Sequence, residues 1–222
     1  MPGYRLSPSS LALFEDCPRC FYLQVVKKIK RPEAPFPSLP SGIDKVLKEH
    51  FDNYRKQNRI PIELKRHKIR AKLFDDMELL EEWRNYHKGG LQYTDKKSGV
   101  ILRGFVDEIL RANGKLIVLD FKTRGFPIKE GTAEYYKSQI DLYNFLLRKM
   151  GYGTEDYGYL LFFHPEKVNG DGNFIFNTEL KTMEVSVRHA GNLFRSAIKV
   201  LSGKEPKPPR SCGYCNWGGA LK

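Results

Sequence analysis

Short runs of apolar residues between turn-forming residues predict the β-strands of this chain. Residues 104–124 read GFVDEILRANGKLIVLDFKTR, with an apolar run on each side of an Asn-Gly pair. Because Asn-Gly favours a two-residue turn, this stretch predicts a β-hairpin. Further strands are predicted at YGYLLFFH, NFIFNTEL and TMEVSV, and two short ones at Leu91–Tyr93 and Gly99–Leu102.

Apolar residues spaced three and four apart predict the helices. Ser7 followed by Pro8 marks the start of a first helix that ends near Asp16. Four prolines predict an irregular connector over residues 31–40. Later helices are predicted near residues 75–87, 133–150 and 188–201.

A second helix is predicted after the connector. Ser41 is expected to be its N-cap, with Asp44 three residues on as in a capping box. The apolar face of this helix is formed by Val46, Leu47, His50, Phe51 and Tyr54.

Helices mixed with a hairpin and later strands predict an α/β fold, in one domain that spans residues 1–222. The strands are apolar on both faces, so helices are expected to cover both sides of a mixed central sheet. A chain of 222 residues with 41% hydrophobic content can bury one sizeable core.

The predicted hairpin places two aspartates opposite each other. If residues 113–114 form the turn, pairing continued along both strands brings Asp107 opposite Asp120. Directly opposed residues share a face, with Cβ atoms about 5 Å apart. Lys122 lies two residues beyond Asp120 and points to the same face. Glu108 falls on the other face and is interpreted as structural.

Two facing carboxylates repel each other and are costly in an apolar sheet. A divalent cation would compensate them, because hard cations prefer carboxylate oxygens. A metal ion beside Lys122 could polarise a phosphate and activate water, which is chemistry suited to phosphodiester hydrolysis. The alternative is an edge hairpin with both aspartates in water, which the apolar runs disfavour.

The charge of the chain favours a polyanionic partner. Lysine and arginine total 38 against 26 acidic residues, a net charge of +12. Nucleic acid is the simplest such partner, and a basic surface without a partner is the alternative. No apolar run approaches the roughly 20 residues of a membrane span, and no apolar signal region precedes the first helix. We therefore expect a cytoplasmic protein that does not bind membranes.

The four cysteines form two Cys-x-x-Cys pairs, Cys17 with Cys20 and Cys212 with Cys215. In a reducing cytoplasm such pairs favour a metal site over disulfides. Four thiolates suit a tetrahedral Zn²⁺ ion or a [4Fe–4S] cluster. Either would act as a clasp that joins 17–20 to 212–215 and pins the Pro- and Gly-rich tail. Four unliganded thiols are the alternative.

These motifs together resemble the PD-(D/E)XK nuclease superfamily. Asp107 followed by Asp120-Phe121-Lys122 is similar to its acidic motif. QIDLY is similar to a Gln-x-x-x-Tyr motif of the RecB-like branch, which includes CRISPR-associated adaptation nucleases and the AddB nuclease domain. The cysteine after the first helix and the C-terminal CGYC resemble the same branch. The resemblance spans nearly the whole chain and implies a restriction-endonuclease-like mixed sheet flanked by helices.

The resemblance also implies roles for the hairpin residues. Asp107 and Asp120 would bind Mg²⁺ or Mn²⁺, with the backbone carbonyl of Phe121 as a further ligand. Lys122 would assist the attacking water.

Two more features are implied by the resemblance. Gln139 and Tyr143, on one helical face, would contact DNA or support the active site, with helix packing as the alternative for Tyr143. The cysteines of this branch often hold a [4Fe–4S] cluster, which favours a cluster slightly over zinc. The usual pattern is one N-terminal and three C-terminal cysteines, however, and this chain has two and two.

One position departs from the branch. Relatives carry a metal-binding histidine four residues after a glycine, but here Gly42 leads to Val46. Asp44 and His50 are the nearest residues that could replace it.

We therefore expect a metal-dependent DNA nuclease, exonuclease-like on single-stranded or end-containing DNA. The alternatives are a non-catalytic nucleic-acid-binding module and a subunit active only in a larger complex. The resemblance implies a protein partner in a DNA repair, recombination or CRISPR-type system.

Overall fold

A computed structural model describes residues 3–32 and 38–219 of the chain. These residues form eight α-helices, eight β-strands and one 3-10 helix. The helices are α1 (Pro8–Asp16), α2 (Pro18–Val25), α3 (Ser38–Lys56), α4 (Ile62–Arg66), α5 (Met77–Arg84), α6 (Lys137–Lys149), α7 (Val187–Leu201) and α8 (Gly213–Gly219). The strands are β1 (Arg5–Leu6), β2 (Lys72–Leu73), β3 (Leu91–Thr94), β4 (Ile101–Gly104), β5 (Glu108–Ala112), β6 (Lys115–Thr123), β7 (Tyr157–Val168) and β8 (Phe174–Glu184). The 3-10 helix, Thr132–Tyr136, leads into α6.

A five-stranded mixed sheet lies at the centre of the fold. Its order is β2-β5-β6-β7-β8, with β6 and β7 parallel and the other neighbours antiparallel. The connection between the parallel strands contains α6. A second sheet has the order β1-β4-β3. The mixed α/β prediction is confirmed. Two strands of the second sheet, β3 and β4, were predicted, but β1, which has only two residues, and the separation of these strands from the central sheet were not.

Apolar side chains cover both faces of the central sheet, as the strand sequences predicted. Alternate residues of a strand point to opposite faces. One face packs with α6 and α7 in a core that includes Val118, Leu160, Phe162, Ile140 and Phe194. The other packs with α3 and α4 in a core that includes Leu119, Phe121, Leu161, Phe51 and Leu64.

The Asn-Gly turn forms in the predicted register. Asn113 and Gly114 have φ angles of 49° and 76°, the left-handed values that a type I′ turn needs. Ala112 pairs with Lys115, and the ladder continues in this register along both strands. Strand β5 starts directly after Asp107, so this aspartate lies at the end of the ladder.

The first helix begins as predicted. The Ser7 hydroxyl accepts a hydrogen bond from the Ser10 backbone N–H at 3.2 Å, and the Ser10 hydroxyl accepts one from the Ser7 N–H at 2.7 Å. This reciprocal pair is a capping box. No helix in the described ranges combines the length and apolar character needed to cross a bilayer.

Two element predictions were wrong. Helix α3 begins at Ser38, so Ser41 is not its N-cap; residues 33–37 of the predicted connector lie outside the described residues. The prolines led to the prediction of an irregular connector, but Pro40 lies in the first turn of α3. Proline is tolerated there, because the backbone N–H groups of the first turn have no intrahelical acceptor. Residues 174–180 of NFIFNTEL and 182–184 of TMEVSV belong to one strand, β8, while Val187 begins α7. Strand β8 lies at the edge of the sheet. Its polar residues can therefore contact solvent without interrupting the strand.

A buried ion-pair network holds the start of β5. Glu108 is fully buried, and its two carboxylate oxygens accept hydrogen bonds from Arg55 of α3 and Arg84 of α5. Both arginines also pair with Asp52. Arg84 Nε donates to the backbone carbonyl of Asp107 at 2.7 Å. The network therefore fixes the backbone of Asp107, and Glu108 is structural, as expected.

Candidate active site and cysteine cluster

Strands β5 and β6 bring the predicted acidic residues and lysine together. Asp120 is 1% exposed and forms an ion pair with Lys122. Asp107 is 18% exposed, and its Oδ2 accepts a hydrogen bond from the Phe121 backbone N–H at 2.9 Å. The Phe121 ring lies on the opposite face, 4.7 Å from the Phe51 ring, so only its backbone faces the acidic residues.

Gln139 of α6 connects Asp120 and Lys122 of β6. Its Nε2 donates to Asp120 Oδ1 at 3.2 Å and to the Tyr143 hydroxyl at 2.8 Å. Its Oε1 accepts from Lys122 Nζ at 3.1 Å. Tyr143 is buried. Its hydroxyl is connected to the acidic residues by the hydrogen bond from the Gln139 amide.

The environment of Asp120 is unfavourable to its charge. Burial raises the pKa of Asp120 to about 7, and the negative charge of Asp107 adds to the increase, while Lys122 opposes it. Asp120 Oδ2 contacts the Lys122 ammonium but accepts no well-oriented hydrogen bond from the described residues. A buried carboxylate oxygen with spare acceptor capacity suits a hard divalent cation. The residues present therefore fit such an ion.

A lysine that was not predicted lies beside Asp107. Lys48 Nζ of α3 is 3.0 Å from Asp107 Oδ1 and 2.7 Å from Asp44 Oδ2. Burial alone would lower the pKa of Lys48, but the charge of Asp107 and the hydrogen bond to Asp44 raise it above its ordinary value. Lys48 is therefore an ammonium ion within the acidic site.

The sequence does contain a signal for this second face of α3. Polar residues recur at intervals of four, four and three along the helix, which places them on one stripe. The stripe consists of Asp44, Lys48, Asp52 and Arg55, next to the apolar face that was predicted.

Of the two residues considered for the missing histidine, Asp44 lies near the site and His50 does not. Asp44 reaches Asp107 through Lys48. His50 Nε2 is 3.1 Å from Glu63 Oε1 of α4, and His50 lines an apolar groove together with Val46 and Glu63. Val46, on the apolar face that was predicted for this helix, is exposed.

The four cysteines cluster, as predicted. Their sulfur atoms all lie within 4.8 Å of one another. The distances are 3.8 Å for Cys17–Cys215, 3.7 Å for Cys20–Cys212 and 3.5 Å for Cys20–Cys215. Within the described residues this is the one group of three or more side chains close enough to hold a metal ion. The Sγ of Cys17 also accepts the Cys20 backbone N–H at the start of α2.

An arginine lies against the cysteine cluster. Arg31 Nη2 is 3.6 Å from Cys212 Sγ and 2.7 Å from Asp16 Oδ2. A guanidinium at this position offsets part of the negative charge that four thiolates would carry.

The comparison with protein families is decisive. A family model of the PD-(D/E)XK nuclease superfamily matches residues 5–219. The chain belongs to this superfamily. Its members are usually metal-dependent nucleases. The match identifies the superfamily and not a branch within it. Membership of the RecB-like branch stays a prediction.

Comparisons with individual proteins add little. No curated protein matches the chain. The chain is similar to the solved crystal structure of SSO0001, with 15% identity over 99% of this chain and 86% of that one, at a TM-score of 0.46.

The burial of Asp120 in this PD-(D/E)XK chain predicts a pH effect on stability without added divalent ion. The folded protein keeps the Asp120 proton up to a pH of about 7, whereas the unfolded chain loses it near pH 4. Stability therefore falls as pH rises through this window. Urea unfolding of wild type and Asp120→Asn should show the wild type losing a few kcal/mol relative to the variant, because each pKa unit corresponds to about 1.4 kcal/mol.

Asp156→Asn is the matched control. Hydrogen bonding to Arg148 lowers the pKa of Asp156, so the stability that Asp156 contributes is lost only at more acidic pH. The difference between wild type and Asp156→Asn should stay flat between pH 5 and 8. A flat difference for Asp120→Asn as well would contradict the burial of its charge.

Proposed function

We propose that this chain is a divalent-metal-dependent DNA nuclease with its active site at the ends of β5 and β6. The observation that supports this best is the convergence of Asp107, Asp120 and Lys122 within a superfamily of nucleases. A net charge of +12 fits a DNA substrate. A non-catalytic module is less well supported, because all three side chains of the motif are present and meet.

Asp107 and Asp120 would hold Mg²⁺ or Mn²⁺, with the Phe121 carbonyl as a further ligand. Once bound, such an ion polarises a phosphate oxygen and lowers the pKa of a coordinated water. The two carboxylates leave coordination positions for water and phosphate, which suits Mg²⁺. Asp44 is connected to these ligands through Lys48, whose ammonium contacts both Asp44 and Asp107.

The remaining side chains position the reactants. Lys122 presents its ammonium at the site, where it can donate a hydrogen bond to the attacking water or to a phosphoryl oxygen that gains charge. Gln139 fixes this lysine, because its amide oxygen accepts from Lys122 while its amide nitrogen donates to Asp120. Tyr143 holds the Gln139 amide in that orientation.

Exposed aromatic rings near the site favour single-stranded or end-containing DNA. Phe126 and Tyr135 are 80% and 86% exposed, and both lie on the connection between β6 and α6. Tyr135 adjoins Tyr136, whose ring centre is 4.7 Å from Lys122 Nζ. Arg124 is exposed on the same segment. Unpaired bases stack on aromatic side chains beside basic residues, so this segment suits a strand with unpaired bases.

The catalytic assignment predicts that Asp120→Asn loses Mg²⁺- or Mn²⁺-dependent cleavage of single-stranded DNA. The expected loss is at least about 100-fold, as for removal of an electrostatic catalytic group. Cleavage is measured by gel assay, and circular dichroism confirms the fold. Asp156→Asn, an exposed carboxylate in an ion pair, should cleave normally. Equal rates for wild type and folded Asp120→Asn would exclude this site. A wild type that binds DNA without cleaving it would favour the binding module or the complex-dependent subunit.

The stacking proposal predicts that Phe126→Ala combined with Tyr135→Ala raises KM for single-stranded DNA. The increase should be about tenfold or more, because stacking contributes about 1–3 kcal/mol per base. The melting temperature should not change, since both rings are exposed. A small phosphodiester without a base is the control substrate and should be cleaved at the same rate by both proteins. An unchanged KM for DNA would remove this support for single-stranded substrates.

We also propose that the cysteines hold one structural metal ion, which joins 17–20 to 212–215 as parts of a single domain. Three of the six sulfur separations are 3.5–3.8 Å and all lie within 4.8 Å, which is close to the spacing of four sulfurs around one ion with Zn–S bonds of about 2.3 Å. In a [4Fe–4S] cluster each thiolate binds a separate iron atom, which holds the sulfurs farther apart. The geometry thus favours Zn²⁺ over the cluster that the resemblance favoured.

The zinc assignment predicts a colourless protein with about one zinc per chain. Cys212→Ser should lose the metal and melt several degrees lower, because metal binding to thiolates stabilises the folded state. Ser211→Ala, next to it and exposed, is the matched control. Elemental analysis and the absorption spectrum decide: broad absorption near ~400 nm with bound iron would mean a cluster. A folded wild type free of zinc and iron would exclude the clasp.

A further inference from the structure

We propose that Lys48 is a tethered cation that holds Asp107 in the metal-free protein and competes with the divalent ion for this carboxylate. The inference rests on the proposed nuclease site, because it concerns the affinity of that site for metal. Lys48 lies outside the motif residues of the superfamily that were recognised in the sequence.

The two oxygens of Asp107 have different partners. Oδ2 accepts a hydrogen bond from the Phe121 backbone N–H at 2.9 Å. One lone pair of this oxygen is therefore used by the backbone of β6. Oδ1 is 3.0 Å from Lys48 Nζ. A metal ion that uses Oδ1 must therefore displace the ammonium or share the oxygen with it.

Lys48 has a second acceptor available when a metal ion arrives. Asp44 Oδ2, one turn earlier on α3, is 2.7 Å from the same nitrogen. The ammonium can move toward Asp44 without becoming an unpaired charge in a site where its side chain is only 25% exposed. Displacement from Asp107 therefore costs less than removal of a buried ion pair.

The two lysines also compensate the negative charge of the acidic site. Asp120 pairs with Lys122, and Asp107 pairs with Lys48. Each ammonium reduces the repulsion between the carboxylates. A cation next to the ligand oxygen also repels a divalent ion, because like charges a few ångströms apart interact strongly at low dielectric. Lys48 thus raises the metal concentration that the site requires.

The test is Mn²⁺ binding without DNA, measured by isothermal titration calorimetry on the full chain. Wild type is compared with Lys48→Met, and Asp120→Asn identifies the site by losing the binding. Lys45→Met is the matched control, because Lys45 is on the same helix, is 79% exposed and pairs with Glu49 at 4.0 Å. Lys48→Met should bind Mn²⁺ about tenfold more tightly than wild type. Lys45→Met and the charge-conserving Lys48→Arg should stay within about threefold of wild type.

A second readout is the melting temperature. Lys48→Met leaves Asp107 without its ammonium, so the metal-free variant should melt below wild type yet gain more degrees on addition of Mn²⁺. If Lys48→Met does not fold without metal, Lys48→Gln replaces it, since a glutamine amide can still donate to Asp44.

Two failures are distinguishable. In the first, wild type binds Mn²⁺ and Asp120→Asn does not, but Lys48→Met binds it no more tightly than wild type. This result overturns the role of Lys48 and leaves the proposed nuclease site unaffected. A wild type that binds no Mn²⁺ at the acidic pair overturns both proposals.

Discussion

Carboxylates inside an apolar sheet need positive charge beside them, and the structure is arranged around this requirement. Asp120 and Glu108 are almost completely buried, and Asp107, directly before Glu108 in the chain, is 18% exposed. Lys122 and Lys48 compensate the two aspartates, while two arginines compensate Glu108. Removing a partner from such a pair would leave an uncompensated buried charge, which costs several kcal/mol. Through Lys48, Arg55 and Arg84, the helices α3 and α5 are connected to the hairpin.

Helix α3 shows how one element serves two purposes. Its apolar side, centred on Phe51, packs on the Phe121 face of the sheet. Its polar stripe reaches the start of β5, where Arg55 contacts Glu108 and Lys48 contacts Asp107. Because helical residues four apart share a face, packing the apolar side of α3 also places Lys48 at the candidate active site. The geometry of the candidate active site and the packing of the core are therefore coupled through this helix.

The segments that carry the four cysteines meet at a different kind of contact. The segment after α7 is rich in proline and offers few apolar side chains, yet Cys212 is buried against Cys17 and Cys20. A small apolar contact of this kind cannot stabilise a long segment alone, whereas four thiolates around one ion can. The metal proposed for the cysteines and the metal proposed for the aspartates thus have separate tasks, one structural and one chemical.

Local rules in the sequence determined the hairpin, its register and the approach of Asp107 to Asp120. The two-residue period of a strand and the left-handed preference of Asn-Gly act between neighbours, so no distant contact is needed to read them. The N-cap of α1 at Ser7 was predictable for similar reasons, whereas the clustering of the two Cys-x-x-Cys pairs was predictable from the preference of thiolates for a shared metal. Tertiary structure alone decided that Lys48 and Arg84 reach Asp107, that His50 pairs with Glu63 instead, and how far apart the sulfurs lie. These contacts join side chains far apart in the chain, and their distances depend on how whole helices pack against the sheet.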